Sequence, residues 1–247
     1  DFIQRFGAGT RSSQATSRKK EILRLQPQEM KRTNITRPFI MFDEPDRAGS
    51  TIFKGEKLKK SYDSNTVFEK INFDISRGDK VGVIGANGMG KSTLLKLLAQ
   101  IIEPTAGKLE MGQNVKIGYF PQEHHDIVNK KETVSMFEWL RGRNQSAYDQ
   151  EIRGSLGKLL FSGDDVFKET FKLSGGETAR LILSYLILSK PNVLILDEPN
   201  NHLDLESVSA LGDGLEKFNG TVVIASHDRQ HPLFRLNPMG STFSKEH

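Results

Sequence analysis

Three clusters of residues in this chain have types and spacing that could do chemistry. The first is Gly85-Ala86-Asn87-Gly88-Met89-Gly90-Lys91-Ser92-Thr93, a complete G-x-x-x-x-G-K-[ST] loop. Its glycines let successive backbone N–H groups turn toward one point, and a helix beginning at its end adds the positive end of a dipole. Lys91 can then reach the outer phosphates of a nucleoside triphosphate, and the Ser92 hydroxyl can hold Mg²⁺. The second cluster is the carboxylate pair Asp197-Glu198. Asp197, at the end of an apolar run, is placed for the hydration shell of that Mg²⁺. Glu198 points elsewhere, because side chains alternate along a strand, and suits a general base for an attacking water. The third is Leu173-Ser174-Gly175-Gly176-Glu177, where a serine and two glycines make a second anion-binding helix start.

Those residues need strands and helices to hold them. Before the glycine loop, Lys80-Val81-Gly82-Val83-Ile84 is short, apolar and β-branched, the pattern of a buried strand. After it, Leu94, Leu95, Leu97 and Leu98 recur at helical spacing. The run 192–196 predicts a strand ending at the carboxylates, 178–188 a helix, and 221–225 another strand ending at Ser226-His227-Asp228. Between the loop helix and Gln122, the turn Pro104-Thr105-Ala106-Gly107 precedes a strand pair over 108–111 and 115–120. Residues 123–190 read mainly as helices, with apolar spacing at Val134, Phe137 and Leu140 and again at Ile152, Leu156 and Leu159. Trp139, on one such face, reads as packing.

Taken in order, these motifs resemble the ATP-binding-cassette (ABC) ATPases over residues 62–229, about two-thirds of the chain. The resemblance implies an α/β P-loop cassette with an antiparallel β subdomain and a helical subdomain at about 123–190. It makes the stretch Leu173 to Glu177 the signature motif, which binds the γ-phosphate held by a partner cassette. Tyr62 matches the ring that stacks on adenine. Gln122, in Gly118-Tyr119-Phe120-Pro121-Gln122, matches the glutamine that touches Mg²⁺ and the attacking water. His227 matches the switch histidine that contacts the γ-phosphate and positions Glu198. Asn201-His202-Leu203-Asp204 matches the segment that crosses to the opposite cassette. The catalytic set so implied is Glu198, His227, Gln122 and Lys91. Nucleotide contacts fall to Tyr62, the loop from Gly85 to Thr93, and Ser174, Gly175, Gly176 and Glu177. Ser92, Gln122 and Asp197 would hold Mg²⁺.

Within that family, Asp197-Glu198-Pro199-Asn200-Asn201-His202-Leu203-Asp204 and Ser226-His227-Asp228-Arg229 resemble the ABC-F branch, twin-cassette ATPases that act on the ribosome. Phe2-Ile3-Gln4-Arg5-Phe6 and Gln14-Ala15-Thr16-Ser17-Arg18 are similar to the second half of its helical linker. Arg37-Pro38-Phe39-Ile40 and Leu159-Leu160-Phe161-Ser162-Gly163-Asp164-Asp165 lean toward the YbiT-type members. One departure stands inside the motif, where Asn200 replaces the usual Thr.

The net charge of +4 is uneven. Residues 1–40 carry nine Lys/Arg and three Asp/Glu, or +6, which leaves −2 for the rest. A basic helical arm and connector over 1–50 would suit phosphate backbones, with salt-dependent RNA contact. The absence of cysteine excludes disulfides and thiolate metal sites and fits a reducing, cytoplasmic setting. His124-His125-Asp126 and His231 lack metal-ligand spacing. No signal peptide is apparent. The longest apolar run, 181–188, is far short of the roughly 20 residues that span a bilayer. The chain begins with Asp1 rather than Met, as a fragment would, and 230–247 lack the expected end of a cassette, so truncation or an altered reading frame is expected there.

The sequence thus predicts a cassette over 51–229 that binds and hydrolyses MgATP, weakly when alone, and needs a second cassette. Two other functions fit the motifs: the ATPase subunit of a membrane transporter, and a nucleotide-gated assembly module without useful turnover. Glu198 argues against the last.

Overall fold

The computed structural model describes residues 36–43, 46–129, 131–227 and 242–243. Residues 1–35 of the arm and connector expected over 1–50, and all of the tail expected over 230–247 except 242–243, lie outside them. The described residues from Arg37 onward belong to one compact unit, which contains the elements below.

Two long strands open the cassette. β1 (Thr51–Tyr62) and β2 (Asn65–Ser76) pair antiparallel through a two-residue turn at Asp63-Ser64, with Asp63 in the left-handed region at φ 49°. Asp tolerates that conformation, and it matches the twist of a tight hairpin. β4 (Ala106–Met111) adds to the other edge of β1, giving the order β2-β1-β4.

The second sheet holds the chemistry. β3 (Lys80–Ile84), β5 (Ile117–Phe120), β6 (Val193–Asp197) and β7 (Thr221–Ser226) are parallel in the order β5-β6-β7-β3. Every residue of β6 and β7 is buried, the pattern of strands covered on both faces. Alternation shows how. Val193 and Ile195 join the core beneath the antiparallel sheet and helix α1 (Lys91–Leu98), whereas Leu194 and Leu196 join the helical core. That helical core is built from α2 (Met136–Arg143), α3 (Asp149–Lys158) and α4 (Gly175–Ser189). Ile152, Leu156 and Leu159, read as one helical face, are all fully buried there, and Trp139 packs against Tyr185. α5 (Leu205–Lys217) links β6 to β7.

Three expectations change. The strands at 108–111 and 115–120 are not a pair: β4 runs antiparallel to β1, while β5 runs parallel to β6. The reason is the partner each edge offers, which sequence-local turn signals do not encode. The helix expected from 178 starts at Gly175, because Ser174 caps it. Within 230–247, Thr242–Phe243 forms a short strand, β8, parallel to β3 at Gly82 and Val83. It occupies the edge of β3 opposite β7, where backbone groups would otherwise lack ladder partners.

The stretch expected to be an extended connector lies on the cassette. Ile40 and Phe42 are buried, Phe39 N–H donates to Lys158 O at 2.8 Å, and Arg37 pairs with Asp213 at 2.8 Å. Gly214 makes room for this strap, since a Cβ there would sit 2.7 Å from Ile40 O.

Candidate functional site

The glycine loop joins the end of β3 to the start of α1, as its pattern requires. Gly90 is the N-cap of α1 at φ 87°, and a Cβ on it would fall 2.4 Å from Val67 Cγ1. A glycine is therefore demanded there twice, by backbone and by space. The loop curls around its own lysine: Lys91 Nζ donates to Gly85 O at 2.9 Å and to Ala86 O at 3.2 Å. The same ammonium lies 3.1 Å from Glu198 Oε1, both side chains being 7% exposed.

Glu198 is the hub. It follows the last residue of β6 and sits at φ 43°. For a non-glycine residue this strained backbone costs on the order of 1–3 kcal/mol and turns its side chain out of the strand's alternation. Its Oε2 accepts from Asn201 Nδ2 at 3.0 Å and lies 3.3 Å from His227 Nδ1. Burial pushes the Glu198 carboxyl upward, but Asn201, Lys91 and His227 outweigh it and hold the group below its ordinary value. It is thus an ionised carboxylate at neutral pH, able to take a proton.

Asp197, one residue back, is fully buried, and neither carboxylate oxygen has a hydrogen-bond partner. Burial raises its pKa, with the neighbouring Ser92 hydroxyl opposing. A carboxylate buried this way is accommodated either protonated or beside a cation. Ser92 Oγ donates to Gln122 Oε1 at 3.3 Å; both line the cleft beside Glu198, whereas Asp197 lies behind its wall. Carboxylate, hydroxyl and amide oxygen form a hard donor set of the kind Mg²⁺ takes, so the residues present fit that ion.

The cleft has a volume of about 310 Å³ and is lined by Val67, Asn87, Gly88, Gly90, Lys91, Ser92, Thr93, Gln122 and Glu198. A larger hollow of about 460 Å³, lined by Lys116, Arg143, Tyr185 and Lys190 among others, contains none of the residues the motifs point to. Chemistry, rather than size, selects the smaller one. Tyr62 does not line it; its ring is 49% exposed at the end of β1, with Lys60 Nζ 5.0 Å from its centre.

Ser174, Gly175, Gly176 and Glu177 are also absent from the cleft walls. They form an exposed helix start of their own. Ser174 Oγ accepts Glu177 N–H at 3.3 Å, and Glu177 Oε2 accepts Ser174 N–H at 2.8 Å, a reciprocal cap. Lys168 Nζ clamps both Glu177 oxygens at 2.8 and 2.9 Å. His202 packs beside the two glycines, and its ring lies 4.4 Å from that of His124.

Sequence reasoning missed two participants. Val67 walls the cleft, though nothing in β2 marks it. Asn201 bonds the carboxylate three residues before it, a spacing that the turn Pro199–His202 creates. Asn200, the departure from the motif, has a buried Oδ1 with no partner.

The chain is similar to a family of known proteins. The family model described as "ABC transporter" matches residues 68–201. "Probable ATP-binding protein YbiT" of Escherichia coli O157:H7 is 40% identical over 231 residues, which are 93% of this chain and 43% of that protein. "ABC transporter F family member 5" of Arabidopsis thaliana is 34% identical over 93% of this chain and 33% of its own length. The chain therefore spans less than half of these curated relatives. Among solved structures, a dimeric ATP-binding cassette in a post-hydrolysis state, bound to ADP and Pi, matches 74% of this chain and 91% of its own with a TM-score of 0.63 at 21% identity, a likeness of fold.

Proposed function

Because the chain belongs to the ABC transporter family of ATP-binding proteins, in its ABC-F branch, we propose that it binds MgATP and hydrolyses it to ADP and phosphate. The observation that carries this function is Glu198, bonded to Lys91, Asn201 and His227 beside the unpartnered carboxylate of Asp197. Lys91 and the loop hold the triphosphate. Its arrival exchanges the lysine's carboxylate partner for phosphate oxygens and leaves Glu198 facing the attacking water. Glu198 accepts a proton as the water oxygen bonds to the γ-phosphorus. The bond from phosphorus to the bridging oxygen breaks, and ADP leaves with that electron pair. Gln122 and His227 orient the water. Ser92, Gln122 and Asp197 would hold Mg²⁺, which would supply positive charge against the phosphates.

The start of α4 serves another cassette. Ser174 and its glycines are outside the chain's own cleft, and they suit the γ-phosphate bound by a partner, whether in one longer polypeptide or in a dimer. Tyr62 is exposed, as a platform for adenine must be. No helix among the described residues is long and apolar enough to cross a membrane, and on the resemblance of its motifs to the ABC-F branch we read the chain as part of a ribosome-associated translation factor of the cytoplasm rather than as a transporter subunit. The basic arm supplies the RNA contact. Phosphate release by the chain and by Glu198→Gln tests the chemistry. Cosedimentation with ribosomes, with and without MgATP, tests the partner: pelleting that ignores both ribosomes and nucleotide overturns it.

A further inference from the structure

We infer that Asn201 is a positioning residue for hydrolysis, acting on Glu198 of its own chain; this rests on Glu198 being the base that receives the water's proton. Resemblance gave Asn201 only to a segment that crosses toward another cassette. The geometry gives it a task at home. Its side-chain Nδ2 donates to Glu198 Oε2 at 3.0 Å, and its backbone N–H donates to Glu198 O at 3.2 Å. The turn that makes both bonds possible begins at Glu198 itself, whose left-handed backbone, φ 43° and ψ 54°, aims the carboxylate back over Pro199–His202.

The division of labour between the two carboxylate oxygens follows. Oε1 is held by Lys91, and Oε2 by Asn201 and His227. When phosphate draws Lys91 away, Oε1 loses its partner and becomes the oxygen that meets water. Oε2 must then be held by the other two. His227 is half exposed, with 53% of its side chain open to solvent, so its grip competes with water. Asn201 sits on the same turn as its target, three residues away. It is the group that keeps Oε1 aimed. The same turn ends in His202, beside Gly175 and Gly176, and leads through Asp204 into α5. A partner cassette pressing on this segment would therefore move the amide that aims the base.

The experiment separates binding from rate. Asn201→Ala removes the donor, and Asn201→Asp keeps the shape but turns an acceptor toward an acceptor. For both variants and the parent chain, MgATP affinity is measured by calorimetry. Conversion of bound γ-labelled ATP is followed under single-turnover conditions for hours, which reads rates too slow for steady-state assays. Affinity is expected to stay within about twofold. The rate is expected to fall about 10-fold in Asn201→Ala, the scale of one charge-assisted hydrogen bond, and further in Asn201→Asp. A packing role predicts the reverse order, because aspartate fills the same space. Unchanged rates, that reversed order, or equal losses in affinity and rate would each overturn the assignment. Glu198→Gln run in parallel shows which idea has failed. If it is slow while the Asn201 variants are normal, the positioning role is wrong; if it also turns over normally, the base is wrong.

Discussion

Lys91 and Glu198 neutralise each other in a nearly water-free contact of 3.1 Å, so that Glu198 competes with phosphate for the lysine. Glu198→Gln removes one side of that pairing. The substitution leaves Lys91 with only two carbonyl partners, so the nucleotide-free chain should lose about 1–3 kcal/mol of stability. MgATP should bind at least as well, because the lysine no longer has to leave a carboxylate. Hydrolysis should slow by roughly 10²-fold or more. Thermal melts with and without MgATP check this: the ligand-induced rise in Tm should be larger in Glu198→Gln than in the parent. Lys91→Ala should instead abolish most nucleotide affinity and show almost no such rise. Asn200 makes a smaller point at this scale. Its buried, unpartnered Oδ1 costs on the order of 1 kcal/mol. Asn200→Thr should be neutral or slightly stabilising in urea, and a clear loss would mean that the amide has a partner in solution.

Among the elements, α1 and α4 both begin at glycine-bearing starts, but for different reasons. At α1 the glycine is steric. Gly90→Ala must force a left-handed alanine into Val67, so the loop should open and MgATP affinity should fall by at least about 10-fold, readable by calorimetry. At α4 the device is the cap. Ser174→Ala should cost about 1 kcal/mol. Glu177, clamped by Lys168, titrates below its ordinary value of 4.5: burial pushes it upward, but Lys168 and Ser174 prevail. Since the folded pKa is the lower one, its stabilising contribution is complete above about 4.5 and is lost as pH falls through the folded value. The gap in urea midpoint between the parent and Glu177→Gln should accordingly be present at neutral pH and close in acid. A gap unchanged in acid would remove the ionised carboxylate from the cap.

For the molecule as a whole, the two cores and the strap across them set what can move. Gly214→Ala places a methyl group against Ile40 O and should cost about 1–3 kcal/mol. MgATP affinity should be preserved, because neither residue touches the cleft. The catalytic prediction at this scale concerns number. Among the described residues the start of α4 does not line the Lys91 cleft, and the function proposed above therefore calls for a second cassette to complete the site. Loss of the opposing donors should slow hydrolysis by on the order of 10²–10³-fold, by analogy with removal of an oxyanion donor. Specific activity should fall as the protein is diluted. Full-rate turnover by a demonstrated monomer would sink the two-cassette requirement.

The phosphate loop, the carboxylate pair and the capped start of α4 were legible in the amino-acid sequence by itself, because each depends on neighbours within a few residues: a strand end, a turn that needs glycine, a serine three residues before a glutamate. The strands β6 and β7 were legible for the same reason, since short unbroken apolar runs mark them. What only the tertiary structure decided involves residues far apart in the chain. The sequence could not tell that β4 and β5 part company into different sheets, that Val67 of the hairpin walls the cleft of α1, or that Lys91 waits on Glu198. Nor could it show the left-handed turn at Glu198, which brings Asn201 to the same carboxylate as His227. Edge pairing and side-chain contact between different elements are settled by which surfaces the packed cores leave facing each other, and local spacing carries no record of that.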